Sequence, residues 1–264
     1  MSQSEHAPYF PETGPPQTLE SPNMLSKVRS IIFFGLLTTI TLVMGILLLP
    51  VHLFGERAVR RAIKYWARLI MILLKVTCGI SYRLIGKENV PRNAAIIAAN
   101  HQSMWETIAL FDILPNPVLV FKKELLTLPI YRWWGRGGGG IVVDRDAGMK
   151  AIKALNAEAK KKIDEGAQVV IFPEGTRAPA GTIGELKPGI AGLYKATAAS
   201  CTPVRHNSGN HWRHPGPWKT PGQITIEFLV PIESGLQRKP FMTILDSVLR
   251  GKTPPSVDEK SSPS

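Results

Sequence analysis

Only two cysteines occur in 264 residues, Cys78 in an apolar stretch and Cys201 beside Thr202-Pro203-Val204. That scarcity removes a disulfide framework and any cysteine-based metal pattern. It fits a reducing compartment in which both thiols are buried filler. Residues 1–24 hold no Lys or Arg, three Glu and several prolines. A signal peptide needs a basic leading region, so this stretch reads as a disordered tail instead. Acidic residues are also in deficit, 20 Asp and Glu against 32 Lys and Arg. The excess suits anionic partners: phospholipid headgroups, phosphorylated cofactors or nucleic acid. No nucleic-acid recognition motif is present and the cations are tied to apolar segments, which speaks against the last of these.

Charge is absent altogether from Ile31 to Leu49, a run ended by Pro50 and preceded by Lys27 and Arg29. At roughly 1.5 Å per residue, this segment nearly reaches across a hydrocarbon layer about 30 Å thick. It reads as a membrane-inserted helix, with a buried helix of a soluble core as the competing reading. Next, Arg57, Arg61, Lys64, Arg68 and Lys75 recur at helical spacing opposite Ile63, Trp66, Ile70, Leu73 and Leu74. Such a helix can lie at the headgroup boundary with its cations on anionic lipid, or simply turn a basic face to solvent. If the two segments form a hairpin, Lys27 and everything after Ser81 fall on the cytoplasmic side. The organisation expected is a tail (1–24), membrane-anchoring helices (25–80), one catalytic domain (81–250) and a second Pro- and Ser-rich disordered tail (251–264).

The domain pattern predicts an α/β fold, a mostly parallel or mixed sheet covered by helices, with an N-terminal pair of membrane helical segments. Strands are expected at 94–99, 118–121, 141–143, 169–172, 202–205 and 224–230. Met149, Ile152, Leu155, Ala159 and Ile163 form the apolar stripe of a helix that Gly166 closes. In such sheets ligands collect at the strand ends.

His101 follows the strand Ala-Ala-Ile-Ile-Ala-Ala-Asn, and Glu106 lies five residues on. The carboxylate can fold back to the imidazole only if the intervening residues form a turn. It would then fix the tautomer and leave the other ring nitrogen as a general base. A bare His and acid at this spacing more often make a structural hydrogen bond, but functional groups concentrate where a strand gives way to a helix. Ser103 lacks the Gly-x-Ser-x-Gly elbow of an acyl-enzyme nucleophile, and reads as a helix-start residue or a supporting donor. Phe172-Pro173-Glu174-Gly175-Thr176-Arg177 follows another strand. There Gly175 permits a tight turn, Thr176 and Arg177 can donate to a phosphate, and Glu174 can hold Arg177 or bond a substrate hydroxyl. A purely structural turn capped by an Arg-Glu pair is the competing reading. Lys122 and Lys123 after a third strand can add to the same basin or be solvated.

Gly135–Gly140 satisfies G-x-G-x-x-G literally, but runs into a strand rather than out of one, so it is no dinucleotide cradle. It is expected to be a flexible loop, with Arg136 or Arg145 available to anions. His206, His211 and His214 lack the supporting ligands of a zinc pattern, so no metal is expected.

Order and spacing of these segments resemble the lysophospholipid acyltransferase family, bacterial 1-acylglycerol-3-phosphate acyltransferases in particular, over roughly residues 84–232. Asn100, His101 and Glu106 match Asn-His-x-x-x-x-Asp, and Lys122-Lys123-Glu124-Leu125 with Pro129 matches the Lys-x-Glu-Leu segment. Gly140 to Asp144-Arg145 matches the second motif, Phe172–Arg177 the third unchanged, and Thr202-Pro203-Val204 the fourth. The resemblance implies that His101 and Glu106 are the catalytic pair and that Arg145, Glu174, Gly175, Thr176 and Arg177 bind the acceptor's phosphate. Lys122, Lys123 and Ser103 are accessory. It further implies a lysophospholipid acceptor and an acyl-CoA or acyl carrier protein thioester as cosubstrate, with no bound cofactor. The expected location is the bacterial inner membrane, on anionic lipid, with the catalytic domain facing the cytoplasm. Glu106 in place of Asp is the main departure. It leaves a lyso-ornithine lipid acceptor, and a noncatalytic membrane-tethered lipid-binding protein, as competing readings.

Overall fold

A computed structural model describes residues 21–144 and 147–253. Most of the N-terminal tail expectation, the C-terminal tail from 254 and Arg145 therefore lie outside the described residues. Asn23 caps α1 (Met24–Leu47), its side chain accepting from Ser26 N–H at 2.9 Å. A 3₁₀ turn (Leu49–Phe54) starting with Pro50 in its first turn leads into α2 (Glu56–Cys78), which stops at Gly79 in the left-handed conformation, φ 66°. Trp66 donates to Thr41 Oγ1 at 3.0 Å and Cys78 Sγ meets Arg29 O at 3.7 Å, so the two helices run antiparallel.

Seven strands follow: β1 (Ile80–Ile85), β2 (Ala95–Ala99), β3 (Pro117–Lys122), β4 (Ile141–Val143), β5 (Gln168–Ile171), β6 (Cys201–His206) and β7 (Gly222–Phe228). They form one sheet in the order β1-β7-β6-β2-β5-β3-β4, parallel except for the β6–β7 pair. The helices are α3 (Trp105–Ile113), α4 (Gly148–Asp164), α5 (Gly189–Thr197) and α6 (Arg238–Leu249). Pleating divides β2 between two cores. Ala95, Ile97 and Ala99 pack with Phe33, Ile70, Leu74 and Trp105 on the α1–α3 side, while Ile96 and Ala98 pack with Leu155, Ile190 and Phe241 on the α4–α6 side. All five β2 residues are buried, which is why this strand reads as a continuous apolar run.

The six expected strands are present within a residue or two at each end. β1 was not expected, because Ser81 and Arg83 interrupt its apolar residues and it is a half-exposed edge strand. The basic face expected on α2 is divided. Arg57 donates to Glu165 O at 3.1 Å, Lys64 to Leu114 O at 2.7 Å and Arg68 to Asp112 at 2.8 Å, all on the α/β body. The outward stripe is instead Tyr65, Leu69, Ile72 and Val76, continuous in character with exposed Ile31, Leu42, Ile46, Leu53 and Phe54. α1 is the one described helix long and apolar enough to cross a membrane by length and composition.

The glycine run is not a loose loop. Residues 131–135 form a π-helical turn, Gly137–Gly139 press against the helical hairpin, and Gly140 packs on Gly135 and Phe121. Gly139 has φ 80°, and a Cβ there would collide with Glu56 and Arg60. Arg60, buried, donates to Gly138 O at 2.8 Å and to Asn116 Oδ1 at 2.7 Å. The glycines are a consequence of close backbone approach, so flexibility was the wrong inference from them.

Candidate active site

The C-terminal ends of β5, β2 and β6 lie side by side, and each delivers a loop to one place. His101 leaves β2 and enters the turn before α3. Its Nδ1 is 2.7 Å from Glu106 Oε1, so the turn does bring the carboxylate back. Oε1 also accepts from Gln102 N–H and Ser103 N–H, each at 2.8 Å. Oε2 lies 2.7 Å from Ser103 Oγ and 2.8 Å from Ser208 Oγ. The extra methylene of Glu over Asp is absorbed by this wrapped turn. Glu106 is 0% exposed and His101 15%. Burial alone would raise the Glu106 pKa. The neighbouring His206 ring and the hydrogen bonds from the His101 ring and Ser103 N–H outweigh it and hold the carboxyl well below its usual range. Glu106 is thus an acceptor for the imidazole N–H, leaving Nε2 for a substrate proton.

Phe172 stacks on the imidazole, ring centroids 4.2 Å apart and 17° from parallel. Asn100 pins β6 beside β2: Nδ2 donates to His206 O at 3.0 Å and Oδ1 accepts from His206 N–H at 2.9 Å. Burial lowers the His206 pKa against the opposing effect of Glu106. The neutral ring then donates from Nε2 to Asn100 O at 2.7 Å, which is a structural role. His211 Nδ1 is 3.2 Å from Thr220 O, and His214 Nδ1 is 3.5 Å from Arg177. Among the described residues no group of three or more His, Cys, Asp or Glu could hold a metal ion.

Glu174 sits differently from expectation. Rather than holding Arg177, its Oε1 accepts from His101 N–H at 2.7 Å and its Oε2 from Gly184 N–H at 2.5 Å, with 3% of the residue exposed. Burial pushes its pKa up, against those two amides. The carboxylate is committed to fastening the third-motif turn to the β2 loop, so the structure gives it a framework position and not a phosphate contact. Arg177, partly exposed, donates from Nε to Ser103 O at 3.0 Å, and Ala178 N–H donates to His101 O at 2.8 Å. Gly175, at φ 72°, makes the tight turn, and Thr176 is exposed. Arg177 is therefore fixed to the same turn as His101.

Ser103 is fully buried and its Oγ accepts from Trp105 N–H at 3.0 Å while contacting Glu106, so it supports the carboxylate and starts α3. Lys122 and Lys123 are exposed at the end of β3, and Lys123 pairs with Asp144 at 2.7 Å. β3 is two strands from β2, about 10 Å at ordinary strand spacing, so these lysines flank the centre rather than enter it. Arg145 follows Asp144 and is outside the described residues.

An apolar cavity of about 460 Å³ lies between the helical hairpin, α3, β3 and residues 128–140. Leu42, Ile63, Phe111, Phe121 and Trp134 line it, as do Met104 and Thr107, just beyond His101. Its size falls within the roughly 300–1,000 Å³ of small-molecule sites. Sequence reasoning found neither the cavity nor Phe172, Gln102 and Ser208 as neighbours of the His101–Glu106 pair. Phe172 had a signal, as the first residue of the third motif; Ser208 had none.

A buried acid–imidazole pair at the carboxyl edge of an α/β sheet, an arginine fixed to the same loop and an adjoining apolar cavity define an enzyme that handles lipid. A family model described as Acyltransferase matches residues 81–207. The chain is 34% identical over 205 residues to the 1-acyl-sn-glycerol-3-phosphate acyltransferase of Pseudomonas aeruginosa, covering 76% of this chain and 79% of that one. It is 27% identical over 192 residues to the 1-acyl-sn-glycerol-3-phosphate acyltransferase alpha of Mus musculus, covering 69% and 65% respectively. The fold is similar to the crystal structure of the 1-acyl-sn-glycerophosphate (LPA) acyltransferase PlsC from Thermotoga maritima, with TM-score 0.71 over 86% of this chain and 94% of that one, at 20% identity. The chain belongs to the acyltransferase family.

Proposed function

We propose that the protein transfers a fatty acyl group from an acyl-CoA or acyl carrier protein thioester to the sn-2 hydroxyl of 1-acylglycerol 3-phosphate, forming phosphatidic acid. The observation that carries this reading is the 2.7 Å His101–Glu106 pair with Arg177 fastened to the same turn through Ser103 O. His101 Nε2 takes the hydroxyl proton as the oxygen attacks the thioester carbonyl. Glu106 supports the charge on the ring, and the collapsing tetrahedral intermediate breaks its C–S bond. The thiolate leaves with the proton that His101 returns. Backbone N–H groups at the strand ends supply the oxyanion contacts.

Arg177, Thr176, Gly175 and Arg145 hold the acceptor phosphate, with Lys122 and Lys123 on its flank and Glu174 keeping the turn in shape. The cavity beside Met104 takes an acyl chain. The hairpin, residues 25–80, seats residues 81–250 on the cytoplasmic face of a bacterial inner membrane through its exposed apolar stripes, and anionic lipid meets the outward Arg61 and Lys75. No metal enters this scheme.

The test presents lysophosphatidate and lyso-ornithine lipid separately, each with acyl-CoA and with acyl carrier protein thioester, and identifies products by mass spectrometry. Phosphatidic acid is the expected product. Acylated ornithine lipid alone would overturn the acceptor assignment, and the donor that supports turnover identifies the carrier.

A further inference from the structure

We infer that Ser208 is a positioning residue for the acyl transfer, clamping the Glu106 carboxylate from the turn that follows β6 so that glutamate can serve as the partner of His101. The inference rests on the catalytic pair proposed above and concerns a residue 102 positions from Glu106. Of the groups on that carboxylate, His101 Nδ1, Gln102 N–H, Ser103 N–H and Ser103 Oγ all belong to one tripeptide and move with the start of α3. Ser208 Oγ, 2.8 Å from Oε2, is the contact that comes from elsewhere. It also lies 2.8 Å from Ser103 Oγ, closing a buried triangle of oxygens. Ser208 is 0% exposed.

Its own place is well fixed. It opens the 3₁₀ turn Ser208–Asn210, one residue after the end of β6, the neighbour of β2 in the sheet. Its carbonyl accepts from Trp212 N–H at 2.8 Å, and the next residue, Gly209, donates to Gln102 Oε1 at 3.2 Å. A glutamate has one more rotatable bond than an aspartate, and its terminal torsion is broad. Ser103 Oγ also reaches Oε2, but like the donors on Oε1 it belongs to the loop that leads into α3, so these contacts leave carboxylate and loop free to shift together. A fixed hydroxyl on Oε2 removes the freedom and keeps Oε1 on the imidazole. Being uncharged, the hydroxyl stabilises the ionised carboxylate without competing with His101 for it. Ser208 does not face the reacting nitrogen, so its influence passes through Glu106.

The experiment measures steady-state kinetics for Ser208→Ala, Ser208→Thr, Glu106→Ala and the Glu106→Ala/Ser208→Ala pair, with thermal unfolding to establish that each is folded. Ser208→Ala should lower kcat on the order of tenfold, the effect of losing one hydrogen bond to a charged group, with KM for both substrates unchanged. Ser208→Thr, which keeps the hydroxyl, should recover most of the rate. In the Glu106→Ala background Ser208→Ala should cost nothing further, since the group it positions is gone. Equal losses in the two backgrounds, or an unchanged kcat, would overturn the inference. ¹⁵N spectra of the His101 imidazole give a second readout that needs no acceptor: one Nδ1–H tautomer in the parent and mixed tautomers in Ser208→Ala. An unchanged tautomer would count against Ser208 even if the acceptor proposed above proved wrong. Failure of every acceptor with a changed tautomer would sink that acceptor reading and leave Ser208's role standing.

Discussion

Glu106 is held at both oxygens by groups spaced for a five-atom side chain, so shortening it is not conservative here. Glu106→Asp withdraws the carboxylate by about 1 Å, and a displacement of that size costs on the order of a hundredfold in rate. Measured kcat should fall accordingly with little change in KM; full activity would mean the turn adapts. Glu174→Gln offers one acceptor oxygen to two amides and turns an N–H₂ toward the other. It should lower stability by roughly 1–3 kcal/mol in denaturant unfolding, the cost of an unsatisfied buried group. His101 and the third motif were legible in the sequence because each follows an apolar strand, and Glu106 because it lies five residues beyond His101 at the start of a helix. Which group Glu174 would bind was not, since the amide of Gly184 and that of His101 approach it only once β2 and β5 are adjacent. Ser208 shows the same limit more sharply: a serine in a polar loop carries no mark of the carboxylate it touches.

Strands and α4 were readable from period and length, and α2's helical period was readable too. What the period did not say is which face meets what, because Lys64 and Arg68 find carbonyl and carboxylate partners at the end of α3, Leu114 O and Asp112, that only packing supplies. Glycine content misled in the same way. Gly139→Ala, at φ 80° against Glu56 and Arg60, should destabilise by more than about 1 kcal/mol, seen as a lowered Tm, whereas a mobile loop would tolerate it. The segment after β6 holds a further feature, Lys219, 1% exposed, its Nζ 3.5 Å from the Phe34 ring centroid and 4.3 Å from that of Trp212. Burial brings its pKa down to about 7, against Cys78. An unfolded lysine keeps its proton up to about pH 10.4, so between these values the unfolded chain binds more protons and stability rises with pH. Lys219→Met should remove that rise between pH 7 and 10 in thermal unfolding. An unaltered pH profile would place the charge elsewhere.

For the molecule as a whole, the hairpin is both the apolar surface and part of the core. Phe33 is 0% exposed and meets Trp212 edge-on at 5.4 Å, and α1 supplies Leu37, Thr38, Leu42 and Met44 to the cavity wall. A division at residue 80 marks a change of composition in the sequence but not a gap in packing. Deleting residues 1–48 should therefore yield no monodisperse catalytic domain in size-exclusion chromatography; a folded, soluble remainder would contradict the shared core. The central claim, that His101 is the base of an acyl transfer to a lysophospholipid, is tested most directly with the full chain in lipid nanodiscs. Thiol release and lipid products are followed from 1-acylglycerol 3-phosphate and a long-chain thioester, beside His101→Ala. Phosphatidic acid is expected from the parent, with a loss of about 10²–10⁴-fold in the variant and unchanged membrane binding in both. Equal product from parent and variant would contradict it.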